Sequence, residues 1–166
     1  MKYRPAPIRV LFLCTHNSAR SILSEALLNH LGGQRFLAYS AGSSPRQNQT
    51  PHPLALETLL ESGISIEGLH SKSWDAFVTP DAPSMDLVIT VCDNAAAETC
   101  PIWPGHPATA HWSYRDPSAL VGSDEDKRSA FRETRDLIRQ RIIRLVNLSD
   151  DALSPQMIQP SVRALG

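Results

Sequence analysis

With 166 residues, 42 % hydrophobic and 20 % charged, the chain has the size and make-up of one globular domain with a proper core. A formal charge of −1 excludes bulk electrostatic attraction to nucleic acid or to an anionic membrane, so any affinity for anions must be local. Three cysteines, an odd number, exclude a structural disulfide framework. With no signal-peptide pattern and no apolar run of spanning length, the expected compartment is the cytoplasm, with reduced thiols.

Ile8 to Leu13 is an unbroken apolar run, which predicts a central parallel strand covered on both faces. The polar stretch Cys14-Thr15-His16-Asn17-Ser18-Ala19-Arg20-Ser21 follows. From Ser18 to Leu31 the apolar positions Ile22, Leu23, Ala26, Leu27 and Leu31 recur at helical spacing, and Gly32-Gly33 stops the helix. A loop that opens a helix presents free backbone N–H groups, and the helix dipole favours an anion there. Arg20, with five residues between it and Cys14, adds a planar fork able to grip two oxygens of a tetrahedral oxyanion. The same field is expected to lower the Cys14 pKa into the range of roughly 3.5–7.5. Ser21 can donate to the thiolate, and Asn17 tolerates a left-handed turn. The constellation points to a nucleophilic thiolate aimed at a bound oxyanion. The plain alternative is an inert cysteine at a strand end.

Phe36 to Ser40 reads as a second strand ending at Ala41-Gly42. A polar loop leads to Pro53, which opens a helix with an apolar band of Leu54, Leu56, Leu59 and Leu60, closed by Gly63. Ile64 to Ser73 is irregular, and Trp74–Phe77 fits one helical turn. Leu87 to Val91 is the core of a third strand, with Cys92 at its carboxyl end. Asn94 to Thr99 is alanine-rich, either a short helix or a loop, and Cys100-Pro101 starts an irregular stretch. Ala108 to Trp112 reads as the last strand and leads to Asp116-Pro117. The final helix has Ser123 as N-cap, acids at 124–126, and Phe131, Leu137, Ile138, Ile142 and Leu145 as its core face. Arg139, Arg141 and Arg144 are expected as solvated and dipole partners. The organisation is one domain over 1–149 with a loosely ordered or partner-contacting tail over 150–166.

Strands alternating with helices predict an α/β fold with a small parallel sheet of about four strands. Ligands bind such sheets beyond the carboxyl ends of the strands. Cys14, Cys92 and Asp116 all fall at that rim. Asp116 is a candidate general acid, since a carboxyl facing an oxyanion can hold a proton for a leaving oxygen. Cys92 and Cys100, with seven residues between them, are read as a thiol relay with Cys14. Two inert cysteines, or zinc ligated by Cys92, Cys100, His106 and His111, are the alternatives. A close cysteine pair, usual at zinc, is missing.

The segment Val10 to Ser21 resembles the phosphate-binding loop of the low-molecular-weight protein tyrosine phosphatases, and more closely that of the arsenate reductases built on the same fold. The resemblance runs from Val10 to about Leu145. Cys92 and Cys100-Pro101 after the third strand, with His111-Trp112 and Asp116-Pro117, resemble the thiol-relay reductases; Ser118 stands where the phosphatases carry tyrosine. The resemblance implies that Cys14 attacks arsenate held by Thr15, His16, Asn17, Ser18, Ala19, Arg20 and Ser21. Asp116 would protonate the departing oxygen, and Cys92 then Cys100 would carry the disulfide to a thioredoxin or glutaredoxin-type reductant. Phosphate and sulfate would act as mimics of the substrate. No cofactor or metal is expected, except for a potassium ion near Asn17, Glu25 and Ser40, as some relatives bind. Two departures stand out: the relay cysteines are one residue farther apart than in the better-known branch, and Ala19 replaces a second loop cysteine. The rival functions are a protein tyrosine phosphatase, whose weak activity the shared loop implies anyway, and a non-catalytic oxyanion or redox sensor.

Overall fold

A computed structural model describes residues 6–97 and 103–166. Its centre is a parallel four-stranded sheet in the order β2-β1-β3-β4. The strands are β1 (Ile8–Cys14), β2 (Phe36–Gly42), β3 (Leu87–Thr90) and β4 (Ala108–His111). The apolar run of β1 lies between two neighbours, which is why Val10, Leu11, Phe12 and Leu13 are all fully buried. Alternate residues serve opposite faces. Val10, Phe12 and Cys14 join one core with Leu87, Ile89, Val91 and Cys92. Leu11 and Leu13 join Val88, Phe77, Met85 and Trp103 in another.

Helices cover the first face: α1 (Arg20–Leu31), α2 (Pro53–Glu61) and α4 (Asp124–Val146) contribute Leu23, Leu27, Leu59, Phe131, Ile138 and Ile142. Trp74–Phe77 forms a 3-10 turn, as its sequence suggests, and Trp74 meets Trp103 edge-on at 6.1 Å over the second core. A five-residue α3 (Asp93–Ala97) follows β3. The rest of the alanine-rich stretch and Cys100 lie outside the described residues.

Local signals explain the element ends. Pro53 opens α2 in the first helical turn, where a missing N–H costs nothing, and Gly63 leaves it with φ 72°. Ser123 caps α4 through a reciprocal box with Asp126. Two leucines expected inside are not: Leu60 is 57 % and Leu137 46 % exposed. At the α2–α4 contact, arginines on the solvent side reach the α2 carboxylates instead, Arg128 to Glu57 at 3.2 Å and Arg132 to Glu61 at 3.0 Å.

The larger correction concerns residues 150–166. Instead of a loosely ordered tail, they form a turn and a last helix, α5 (Ile158–Arg163), seated on β4. Trp112 donates its indole N–H to Val162 O at 3.2 Å, and Arg163 Nε donates to Thr109 O at 2.8 Å. Leu153, Ile158 and Val162 enter the helix-side core. Two prolines and a short period hid an apolar triplet that completes the cover of the sheet edge.

Candidate active site

β1 ends at Cys14, and the chain turns through residues 15–19 into α1. Asn17 takes φ 57°, the left-handed conformation its short amide tolerates. α1 starts without a side-chain cap: Ala19 stands at the cap position. The first N–H groups of a twelve-residue helix are therefore left to face the loop, where an anion can satisfy them. His16 bonds Ser44 O through Nδ1 at 3.1 Å, and the backbone of Ser18 accepts from His52 N at 2.8 Å, so the rim of the loop is tied down on both sides.

Cys14 is 4 % exposed. Its Sγ lies 2.8 Å from Ser21 Oγ and receives the Asn17 N–H at 3.2 Å. The expectation of a lowered pKa is not met by the resting site. Burial pushes the Cys14 thiol up from its ordinary value; hydrogen bonds from Ser21 and Asn17 oppose this, and the nearby Cys92 sulfur adds to the rise. The sequence reveals the donors of the loop but not how completely the thiol is desolvated.

Cys92 is 2 % exposed, in the same core and at the same end of the sheet as Cys14. The register explains the placement: Leu13 pairs with Thr90, and Val91 N donates to Leu13 O at 2.8 Å, so the thiols leave adjacent strands almost level. Thr15 Oγ1 is 3.6 Å from Cys92 Sγ, which links the second sulfur to the first loop residue.

Arg20, 17 % exposed in its side chain, donates from Nη1 to Tyr114 O at 3.1 Å and sits 3.6 Å from Asp116 Oδ2. The other Asp116 oxygen accepts from Ser118 N at 2.9 Å and Ser118 Oγ at 2.7 Å. One carboxylate oxygen is thus pinned by its own turn, while the other faces the arginine of the loop. Asp116 also borders a groove of 840 Å³ lined by Leu120, Val121, Glu133 and the outward Leu137.

His111 bonds Thr90 Oγ1 through Nδ1 at 2.7 Å and Asp93 Oδ1 through Nε2 at 2.9 Å, which engages both ring nitrogens. Among the described residues no group of three His, Cys, Asp or Glu converges as metal ligands.

Two residues of the site escape sequence reading. Gly42, at the end of β2, runs so close under the loop that an added Cβ would stand 2.6 Å from Thr15 O. Lys72, in the stretch read as irregular, donates its backbone N–H to Asn17 Oδ1 at 3.0 Å and its ammonium to Ser40 O at 2.9 Å. Glycine at a strand end is a usable signal for close backbone approach; no pattern in the sequence marks the lysine.

A family model described as low molecular weight phosphotyrosine protein phosphatase matches residues 9–156. The chain belongs to that family. Within the phosphatase family, its similarities run to reductases. It is 34 % identical over 142 residues to an arsenate reductase of Bacillus licheniformis, covering 85 % of this chain and 96 % of the relative. The crystal structure of arsenate reductase from Archaeoglobus fulgidus superposes with a TM-score of 0.64 at 28 % identity, over 84 % of this chain and 99 % of that one. The thioredoxin-dependent arsenate reductase of Corynebacterium glutamicum gives 0.57 at 31 % identity, over 87 % of this chain and 64 % of that one. The four-stranded parallel sheet expected from the sequence is the fold of this family.

Proposed function

We propose that the chain reduces arsenate to arsenite by a three-thiol relay. The observation that carries the reading is the placement of two buried free thiols, Cys14 and Cys92, on one face at the carboxyl ends of adjacent strands, beside an uncapped helix N-terminus. Arsenate has the shape and charge of phosphate, so the loop amides and Arg20 can hold it. Its conversion to arsenite takes two electrons, which two thiols supply in becoming one disulfide.

Cys14 Sγ attacks arsenic, and Asp116 passes a proton to the departing oxygen, which leaves as water. Cys92 Sγ then attacks Cys14 Sγ. The S–As bond breaks with its electron pair going to arsenic, which leaves as arsenite, and a Cys14–Cys92 disulfide remains. Cys100 attacks Cys92 and frees Cys14. A dithiol protein of the thioredoxin or glutaredoxin type then reduces the Cys92–Cys100 bond. The last two steps rest on the sequence position of Cys100.

The test is arsenite formation by the purified protein with the thioredoxin and glutaredoxin systems supplied in turn, in the wild type and in Cys92→Ser. Wild type turns over with one of the two. Cys92→Ser retains hydrolysis of an aryl phosphate, which needs only the loop, but forms no arsenite in repeated cycles. Multiple turnover of arsenate by Cys92→Ser overturns the relay. Aryl phosphate hydrolysis by the wild type without arsenate reduction under either reductant returns the reading to a phosphatase.

A further inference from the structure

Beneath the loop lies a buried polar chain that the relay does not use. Lys72 and Glu25 are 17 % and 14 % exposed in their side chains, and Lys72 Nζ is 3.9 Å from Glu25 Oε1. The Lys72 ammonium also donates to Ser40 O at 2.9 Å. The main chain around it is anchored as firmly: Gly42 N donates to Lys72 O at 2.8 Å, and Ser71 Oγ donates to Asn17 O at 2.6 Å.

The orientation of the Asn17 amide follows from one donor. Lys72 N–H can only donate, so the Asn17 atom it meets is the amide oxygen. Asn17 Nδ2 therefore faces Ser21 Oγ at 2.8 Å and Ser40 Oγ at 3.0 Å, and donates to both. Each hydroxyl, having accepted, turns its single proton outward. Ser40 donates to Glu25 Oε1 at 2.6 Å, and Ser21, 2.8 Å from Cys14 Sγ, keeps its proton to donate to that sulfur once it is a thiolate. One amide thus orients one hydroxyl on the carboxylate and another on the nucleophilic sulfur.

We propose that Lys72 is a tethered counter-cation for Glu25, standing where a potassium ion would otherwise sit beside Asn17 and Ser40, and that it acts as a positioning residue for the Asn17–Ser21 hydrogen bonds on Cys14. The residues that resemblance assigns to potassium do meet, but they meet around an ammonium. Ser40 O receives its N–H, and the Asn17 oxygen is taken by the same residue's backbone. A free cation does not fit in addition. Without the ammonium, the Glu25 carboxylate would lie uncompensated below the loop, where a negative charge opposes both the thiolate and a bound oxyanion. The other ionisable groups facing this assembly are His70, beside Glu25, and Cys92, beside Cys14. The inference rests on Cys14 as nucleophile and not on arsenate as substrate, so thiol alkylation tests it separately.

The experiment measures the pH dependence of Cys14 alkylation by iodoacetamide in a Cys92→Ser/Cys100→Ser background, in potassium chloride or choline chloride. With Lys72 intact, the midpoint is the same in both salts. In Lys72→Met it rises by about one pH unit in choline chloride, as expected for one uncompensated charge at an effective dielectric constant near 20. Potassium chloride brings it back, because the vacated space accepts a cation. Glu25→Gln/Lys72→Met returns it in either salt. If Lys72→Met does not fold, Glu25→Gln alone is read: the unbalanced ammonium lowers the midpoint. An unchanged midpoint in Lys72→Met, potassium sensitivity with Lys72 intact, no recovery on potassium addition or in the double variant, or a Glu25→Gln midpoint that stays or rises would each overturn the proposal.

Discussion

Gly42→Ala tests how tightly the oxyanion loop is held against the sheet. An added Cβ would meet Thr15 O at 2.6 Å, Asn17 N at 3.0 Å and His16 C at 3.0 Å, all three of them backbone atoms of the loop. Ordinary contact begins at 3.4 Å, so Thr15 O has to retreat by about 0.8 Å. Strand β2 cannot give way instead. Gly42 is paired with Cys14, Gly42 N is bonded to Lys72 O, and Ser43 N and Ser44 N donate to Cys14 O at 2.9 Å and Thr15 O at 2.8 Å. The loop therefore moves. Overpacking of this kind costs about 1–3 kcal/mol of stability, offset in part by about 0.4–1 kcal/mol from a stiffer unfolded chain. Misplacing the reacting groups by nearly an ångström costs on the order of 100-fold in rate. The activity loss should therefore outrun the stability loss. The assay pairs kcat/KM for arsenate with a urea midpoint. A variant with wild-type kcat/KM would refute the idea that this close approach shapes the site.

Val162→Ala, at a fully buried position on α5, should lower stability by about 1.5–3 kcal/mol in urea unfolding; an unchanged midpoint would mean that α5 contributes nothing to the core. His52 caps α2 through Nδ1, which accepts from Leu54 N, and its ring packs 4.6 Å from that of Phe131. Burial holds its pKa below the ordinary value, with the Asp116 charge pulling weakly the other way. A depressed histidine pKa makes stability complete above the unfolded value of about 6.5 and lost as pH falls below it. The wild type should thus lose more stability between pH 7.5 and 5.5 than His52→Asn, which keeps a cap acceptor without the titration; equal losses would exclude His52 as the source.

The strand and helix order was legible because each element carries a strong local signal. The run in β1, the glycines closing α1, Pro53 and the Ser123 box all act within a few residues of themselves. The rim position of Cys14, Cys92 and Asp116 was legible for a related reason: parallel strands all end on one side. What the sequence concealed depends on distant partners. α5 looked like a tail because its three apolar residues gain meaning only against Trp112 and β4. Leu137 looked internal because helical period alone does not say where the neighbouring loop stops. The Cys14 pKa was misjudged because donors can be read from a motif, whereas desolvation depends on everything packed around it. Lys72 looked like any loop lysine, and only the tertiary path of residues 71–73 beside Gly42 brings it under Asn17.

The pairing of β1 with β3 has a wider consequence. Because side chains alternate along a strand, a shift of one residue between these neighbours would turn Leu87, Ile89 and Val91 toward the opposite core. Strand alignment thus sets the level at which Cys92 leaves the sheet beside Cys14, and the turn after Val91 carries its side chain into the core that holds Cys14. A chemist wishing to install such a pair in another parallel sheet would begin by fixing the alignment of two adjacent strands, and only afterwards choose the turn that follows each.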